Sequence, residues 1–403
     1  HSFPTRRSSD LGCFHWTAPW PTADWHCGYA VLEGAEWIEL TNGGCGDFNG
    51  HNTTRLFDGH LFIAHNNHRH QAENSSGQRC LAWIYRPGQP WERASFNQDQ
   101  GGEPIVLFPP AAPMNARKFE ADARYFGCPR LHQLGDGRIM VIAGVFVIRR
   151  GTKLAPNGKV NTWVNICTLA RRIDTRGDMG PVRLVAVADE QAHQEAVAEG
   201  YLDYPDAVAE DWVDDLQPEL TLPPGRGNVA TDGYRATEFR DVIWFDADRR
   251  QGVCMGRGEN TDGVFRGYTA RTDDGGMSWH QPEPTNIPSG ENTITLRRLP
   301  DGRPAIFGTF ADRFRGERRP LCVAIADDGR NFSHVYRLGH DDERHQMVGV
   351  VFDERHMYVA GPHRSNGNAG RGEHFVLRLP LDKLPAAEQP PEQTTRCLHP
   401  HTI

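Results

Sequence analysis

The sequence predicts an all-β protein wound as a β-propeller, with six blades favoured over five or seven. Three observations predict it. An apolar strand, a tight Asp/Gly turn and a second apolar strand recur five times along the chain, and a third apolar strand follows each pair. The composition is turn-rich, with 42 glycines and 28 prolines among 403 residues. Four-stranded units stacked radially hide nearly every sheet edge, so a chain of many short strands is best accommodated this way.

The elements follow in order. The first eleven residues, HSFPTRRSSDL, lack the apolar stretch of a signal peptide and read as translated adapter sequence, so they are set apart from the fold. Residues 12–385 are expected to form one propeller domain, and 386–403 a tail. The stretch Trp16–Leu40, containing YAVLEGAEWIEL, would supply a sixth blade or the strand that closes the ring. The repeated hairpins are TRLFDGHLFIAH, RLHQLGDGRIMVIAG, RDVIWFDADRRQGVCMG, TLRRLPDGRPAIFGTF and VGVVFDERHMYVAG. Between the second and third lies an acidic insertion, about 188–235, helix-prone in its first half and broken by Pro205. It reads as a solvated excursion, with a lid over the pocket as the functional alternative.

One turn carries more detail than the others. In RTDDGGMSWHQPEP, Asp274 can accept hydrogen bonds from amides ahead of it, and Gly275 and Gly276 take positive φ without strain, so the stretch caps a hairpin. Thr272, Asp274, Gly276, Ser278 and Trp279 resemble the Asp-box of sialidases and related propellers. IADDGRNF, with Asp328, Gly329 and Phe332, resembles a degenerate copy. The resemblance implies a structural hairpin between the third and fourth strands of a blade, away from the active site.

Propeller geometry turns the repeat into a site. Residues just before each inner strand and just after the second strand share one face. These are His51, Asn52, His65, His68 and His70 in the first repeat, and Tyr125, Arg130 and Arg149 in the second. The third contributes Glu238, Arg240, Arg257 and Asn260; the fourth Glu291, Asn292, Asp312 and Arg313; the fifth His345, Gln346, His363 and Arg364. Arginines converging on one mouth of a chain with formal charge −8 would select an anion, since a guanidinium matches a carboxylate with two parallel hydrogen bonds.

From about residue 50 to 385, and most closely over 290–382, the chain resembles the sialidase superfamily. That resemblance implies a glycoside hydrolase that holds the sugar carboxylate with three arginines and uses a tyrosine activated by a glutamate as nucleophile, with an aspartate as acid/base. Arg240 and Arg364 are the arginines it points to. No Arg-Ile-Pro stands near the start, and one complete Asp-box is present. GHNTTRLFDGHLFIAHNNH is also similar to the first blade of propeller polysaccharide lyases, which implies His51 and His68 as groups acting on a uronate. The tyrosine of the lyase Tyr-Pro pair is replaced in Cys128-Pro129, and Tyr125 lies three positions earlier.

The expected function is therefore an exo-acting, sialidase-like hydrolase releasing a terminal acidic sugar. A uronate-directed lyase or rhamnosidase-like enzyme, and a non-catalytic glycan-binding propeller, are the alternatives. The catalytic candidates are His51, His68, Tyr125 and Glu238. The substrate-binding candidates are Asn52, Arg130, Arg149, Arg240, Arg257, Arg313, His345, His363 and Arg364. The expected partner is a glycan with a carboxylated sugar, bound by a monomer. No cofactor is expected. Five histidines lie between 51 and 70 but meet no fixed zinc spacing, so no metal is predicted. The acidic balance argues against a general nucleic-acid binder, and no apolar run approaches the roughly 20 residues of a membrane helix. Nine cysteines without a CxxC pair suggest neither a zinc ribbon nor a complete disulfide framework. A secreted or periplasmic location is favoured.

Overall fold

The computed structural model describes residues 14–18, 29–41, 45, 48–68, 78–108, 125–127, 129–134, 137–148, 163–198, 229–259, 265–290, 292–310, 318–338, 344–345, 347–364 and 372–387. Three short strands come first, β1 (His15–Trp16), β2 (Ala30–Val31) and β3 (Glu36–Glu39). Blade one then runs outward from the axis as β4 (Phe48–Phe57), β5 (His60–His68), β6 (Arg79–Tyr85) and β7 (Ile105–Phe108). In blade two the inner strand is broken into β8 (Tyr125–Phe126) and β9 (Arg130–Gln133), both paired with β10 (Ile139–Ile148). β11 (Trp163–Ile173) and β12 (Arg183–Val187) complete it. Helix α1 (Glu190–Ala198) follows, at the start of the acidic insertion, with Ala192 and Ala196 buried.

Blade three repeats the broken inner strand. β13 (Arg235–Thr237) and β14 (Val242–Trp244) pair with β15 (Gly252–Glu259), followed by β16 (Arg266–Thr272) and β17 (Glu283–Pro288). Blade four holds β18 (Thr295–Arg298), β19 (Pro304–Thr309) and β20 (Leu321–Ile325), then β21 (Asn331–Phe332) and β22 (His334–Arg337). Blade five holds β23 (Arg344–His345) and β24 (Gly349–Phe352) against β25 (His356–Arg364), then β26 (Glu373–Pro380).

The described residues thus form five blades, and the described strands within 16–40 close the ring instead of building a sixth. β3 pairs antiparallel with β26, with Glu39 opposite Phe375, and becomes the outer strand of blade five. β2 extends blade four beside β22, and β1 lies along β21. Trp16 packs 5.1 Å from Phe310 and its amide donates to Asn286 Oδ1. A first strand completing the last sheet leaves no open seam for another chain to pair with.

Burial explains why the strands read as unbroken apolar runs. Successive side chains point to opposite faces, and in a propeller both faces meet a neighbouring blade. Phe62 enters the core shared with blade two, whereas Ile63 enters the core shared with blade five. Val323 packs towards blade five, whereas Cys322 and Ala324 pack towards blade three.

The Asp274 turn joins β16 to β17 as predicted. Thr272 Oγ1 donates to the Asp274 carboxylate (2.8 Å) and accepts from the Gly276 amide (2.9 Å). Ser278 donates both its amide (2.9 Å) and its hydroxyl (2.6 Å) to the same carboxylate. Gly275 and Gly276 have φ of +80° and +88°. Asp174 and Asp328 organise the corresponding turns of blades two and four by accepting backbone amides. All three turns lie on the face opposite the start of the inner strands.

Candidate active site at the mouth of the ring

The inner strands are interrupted near where they enter the ring. In blade one a bulge between Gly50 and Asn52 leaves His51 at φ +42°. Glu238, between β13 and β14, has φ +55°, and Met347, between β23 and β24, has φ +45°. Gly290, shortly before β18, has φ +58°. Non-glycine residues rarely occupy this left-handed region, and a bulge there re-aims a side chain out of the sheet plane. Three blades therefore hold a strained non-glycine residue at equivalent positions on one face, and such strain concentrates at functional sites.

Glu238 is the chemical centre of this face. Arg257 Nη2 donates to Glu238 Oε1 at 2.8 Å, while Oε2 is buried with no hydrogen-bond partner among the described residues. Burial alone would raise the pKa of this carboxyl, but Arg257, then Arg240 and His51, outweigh it and hold the group below its ordinary value. Glu238 is thus an ionised carboxylate with one uncommitted oxygen, in the electrostatic reach of a histidine. Arg240 in turn donates from Nη1 to the Asn52 carbonyl (3.1 Å), which ties blade three to blade one.

Beneath this group lies a second set of charges that the sequence reading passed over. Asp241 meets Arg297 Nη1 at 2.5 Å and Arg55 Nη2 at 3.7 Å, which joins blades three, four and one. Burial pushes the Asp241 pKa up, and Arg297, Arg55 and Arg240 more than offset it, so it remains charged. All three residues lie on or beside inner strands, and a charge at such a position was the available signal.

The other candidates divide. Asn52 is buried and works as a strut, its Nδ2 donating to the Ala360 carbonyl (2.8 Å) and to Thr54 Oγ1 (3.1 Å). His68 is buried at the end of β5 opposite Phe48, whereas His65 is the register partner of Asn52. His51 and His68 therefore sit at different heights on the hairpin. His65 itself is committed: Trp83 Nε1 donates to its Nε2 (3.1 Å), its Nδ1 lies 3.0 Å from the Asn66 carbonyl, and its ring stacks 4.3 Å from His374.

His345 is fully buried beside Phe375 (5.2 Å) and Trp37 (5.9 Å), with the His363 ring 6.1 Å away. His363 reaches towards Glu39 at 3.8 Å. The His345 ring thus packs at the closing seam, between Trp37 of β3 and Phe375 of β26. Arg130 is exposed at the start of β9. Tyr125 and Arg364 have described backbones, opposite Phe146 and Arg344, but their side chains lie outside the described residues. Arg149 and Arg313 lie outside them altogether, as do His70, Asn260, Glu291, Asp312 and Gln346. Among the described residues no three His, Cys, Asp or Glu side chains group as metal ligands.

Residues 238–365 match the family model described as a BNR repeat-like domain. Among solved structures, a protein titled "Sialidase" is similar over 92% of this chain, with a TM-score of 0.62 and 15% identity. The chain spans 35% of that protein, about a third of its length. A protein of unknown function from Dyadobacter fermentans is similar over 86% of this chain and 99% of its own, with a TM-score of 0.51 and 11% identity. No curated protein matches the chain by sequence. The fold is that of the sialidase and BNR-repeat propellers.

Proposed function

We propose that this propeller is an exo-acting glycosidase of the sialidase type, releasing a terminal acidic sugar from a glycan at the mouth of the ring. One observation carries the reading: Glu238 is ionised, held by Arg257 through one oxygen, and keeps its other oxygen unengaged beside His51. Arg240 and Arg257 would attract the sugar carboxylate. Glu238 would take the phenol proton of Tyr125, whose oxygen then attacks the anomeric carbon. His51, protonated, would give its proton to the departing glycosidic oxygen, then take one from the water that displaces the sugar from Tyr125, while Glu238 returns its proton to the phenol oxygen. The similarity to a protein titled "Sialidase" supports the same choice.

The test is turnover of an aryl sialoside and of sialyl-lactose. Glu238→Gln should lower the rate by about a hundredfold or more, the usual scale for a positioned acid or base. A second reading is favoured by His51 itself, a histidine at the bulge of the inner strand, within electrostatic reach of Glu238. There the arginines neutralise a uronate and His51 removes the C5 proton, leaving an unsaturated sugar. Ultraviolet absorbance with a uronate polysaccharide as substrate separates the two readings. Silence in both assays, with measurable glycan binding, would identify a binding propeller.

A further inference from the structure

A cavity of about 420 Å³ opens on the flank of the ring, where the closing strand of blade five passes the outer strand of blade one. Thr41, Cys45, Arg79, Arg93, Glu103, Pro104 and Val106 line it. Its volume falls within the roughly 300–1,000 Å³ of small-ligand sites. It belongs to the rim, since Glu103 and Pro104 lead into β7 and Val106 lies on that outer strand.

The charges in this cavity are arranged unusually. Arg93 is half-buried and fastened, with Nε donating to the Leu40 carbonyl (2.8 Å), Nη1 to the Gly102 carbonyl (3.3 Å), and the guanidinium 5.2 Å over the Trp83 ring. Arg79 Nε donates to Asn67 Oδ1 at 2.7 Å. Glu103 is exposed on the same cavity, and among the described residues no ion pair joins it to Arg93. Opposite charges free to move would meet, but here the backbone carbonyls and the Trp83 face hold the guanidinium back. Thr41 adds a hydroxyl that donates to Glu373.

A lone anion would be attracted by the arginines and repelled by Glu103 and Glu373. A sugar ring suits both, because each hydroxyl accepts from a guanidinium while donating to a carboxylate. We propose that this flank cavity is a second carbohydrate site, which takes a neutral hydroxylated sugar ring between Arg93 and Glu103, apart from the acidic-sugar site at the mouth.

Saturation-transfer NMR and calorimetry with lactose, cellobiose and N-acetyllactosamine test this on the whole chain. The wild type should bind at least one disaccharide. Glu103→Ala, at an exposed position, should weaken that binding about tenfold, the scale of a hydrogen bond to a charged group. Its melting temperature and its aryl sialoside turnover should match the wild type. Failure of all three disaccharides to bind, or binding unchanged by Glu103→Ala, overturns the proposal. Because the readout is binding, the outcome stands whether or not the mouth proves to be a sialidase site.

Discussion

Arg257, on the second strand of blade three, holds Glu238, on the broken first strand of the same blade, across 2.8 Å, and leaves one carboxylate oxygen unengaged. Nineteen positions separate them, yet adjacent antiparallel strands bring them to one face, with Arg257 in register with Thr237. The pairing keeps a proton acceptor charged in a setting where burial alone would neutralise it.

Removal of that cation should therefore show in the pH profile. Glu238 has a depressed pKa in the folded protein, so the stability it contributes is present above the ordinary carboxylate range and lost as pH falls through its folded value. Arg257→Ala raises that value. The acidic limb of kcat/KM should move to higher pH, and affinity for a carboxylated sugar should fall by about 2–4 kcal/mol. An unmoved limb would detach Arg257 from Glu238.

His51 is tested by two substitutions. His51→Ala should lower turnover about a hundredfold. His51→Gly removes the same ring while relieving the positive φ of 42°, so its melting temperature should equal or exceed that of the alanine variant. Equal losses of turnover in both, with folded protein, assign the effect to the imidazole.

Asp274 should matter for stability alone. Hydrogen bonds from Ser278 and Thr272 lower its pKa from 3.8 to about 2. The stabilisation is fully present above pH 3.8 and is lost as pH falls through about 2. Asp274→Asn should lower the melting temperature near neutrality, and the gap from wild type should close in strong acid. Turnover per folded molecule should not change.

The stacked pair His65 and His374 should make the closing seam acid-sensitive. Burial lowers the His65 pKa from 6.5 to about 4, and burial together with His65 and His363 holds that of His374 well below its ordinary value. Between those limits the unfolded chain binds protons that the folded one refuses, so stability falls as pH drops from 6.5 towards 4. His374→Leu should flatten the dependence of melting temperature on pH across that window. A slope unchanged in the variant would place the acid sensitivity elsewhere.

The hairpins, their Asp/Gly turns and the propeller class were legible in the sequence because they depend on neighbours in the chain. Apolar runs of strand length, interrupted by residues that accept a tight turn, specify β-hairpins wherever they occur. The same local logic located Glu238, Arg240, Arg257 and His51 on one face. Only the tertiary structure decided the blade count, since the pairing of Glu39 with Phe375 joins opposite ends of the chain and leaves no local trace. It also buried Asn52, His65 and His345, because whether a polar side chain meets solvent or a neighbouring blade depends on which strand packs over it. The left-handed turns at His51, Glu238 and Met347 were equally hidden. None of the three is a glycine, and the surrounding sheets alone hold these residues in a conformation that their own chemistry disfavours.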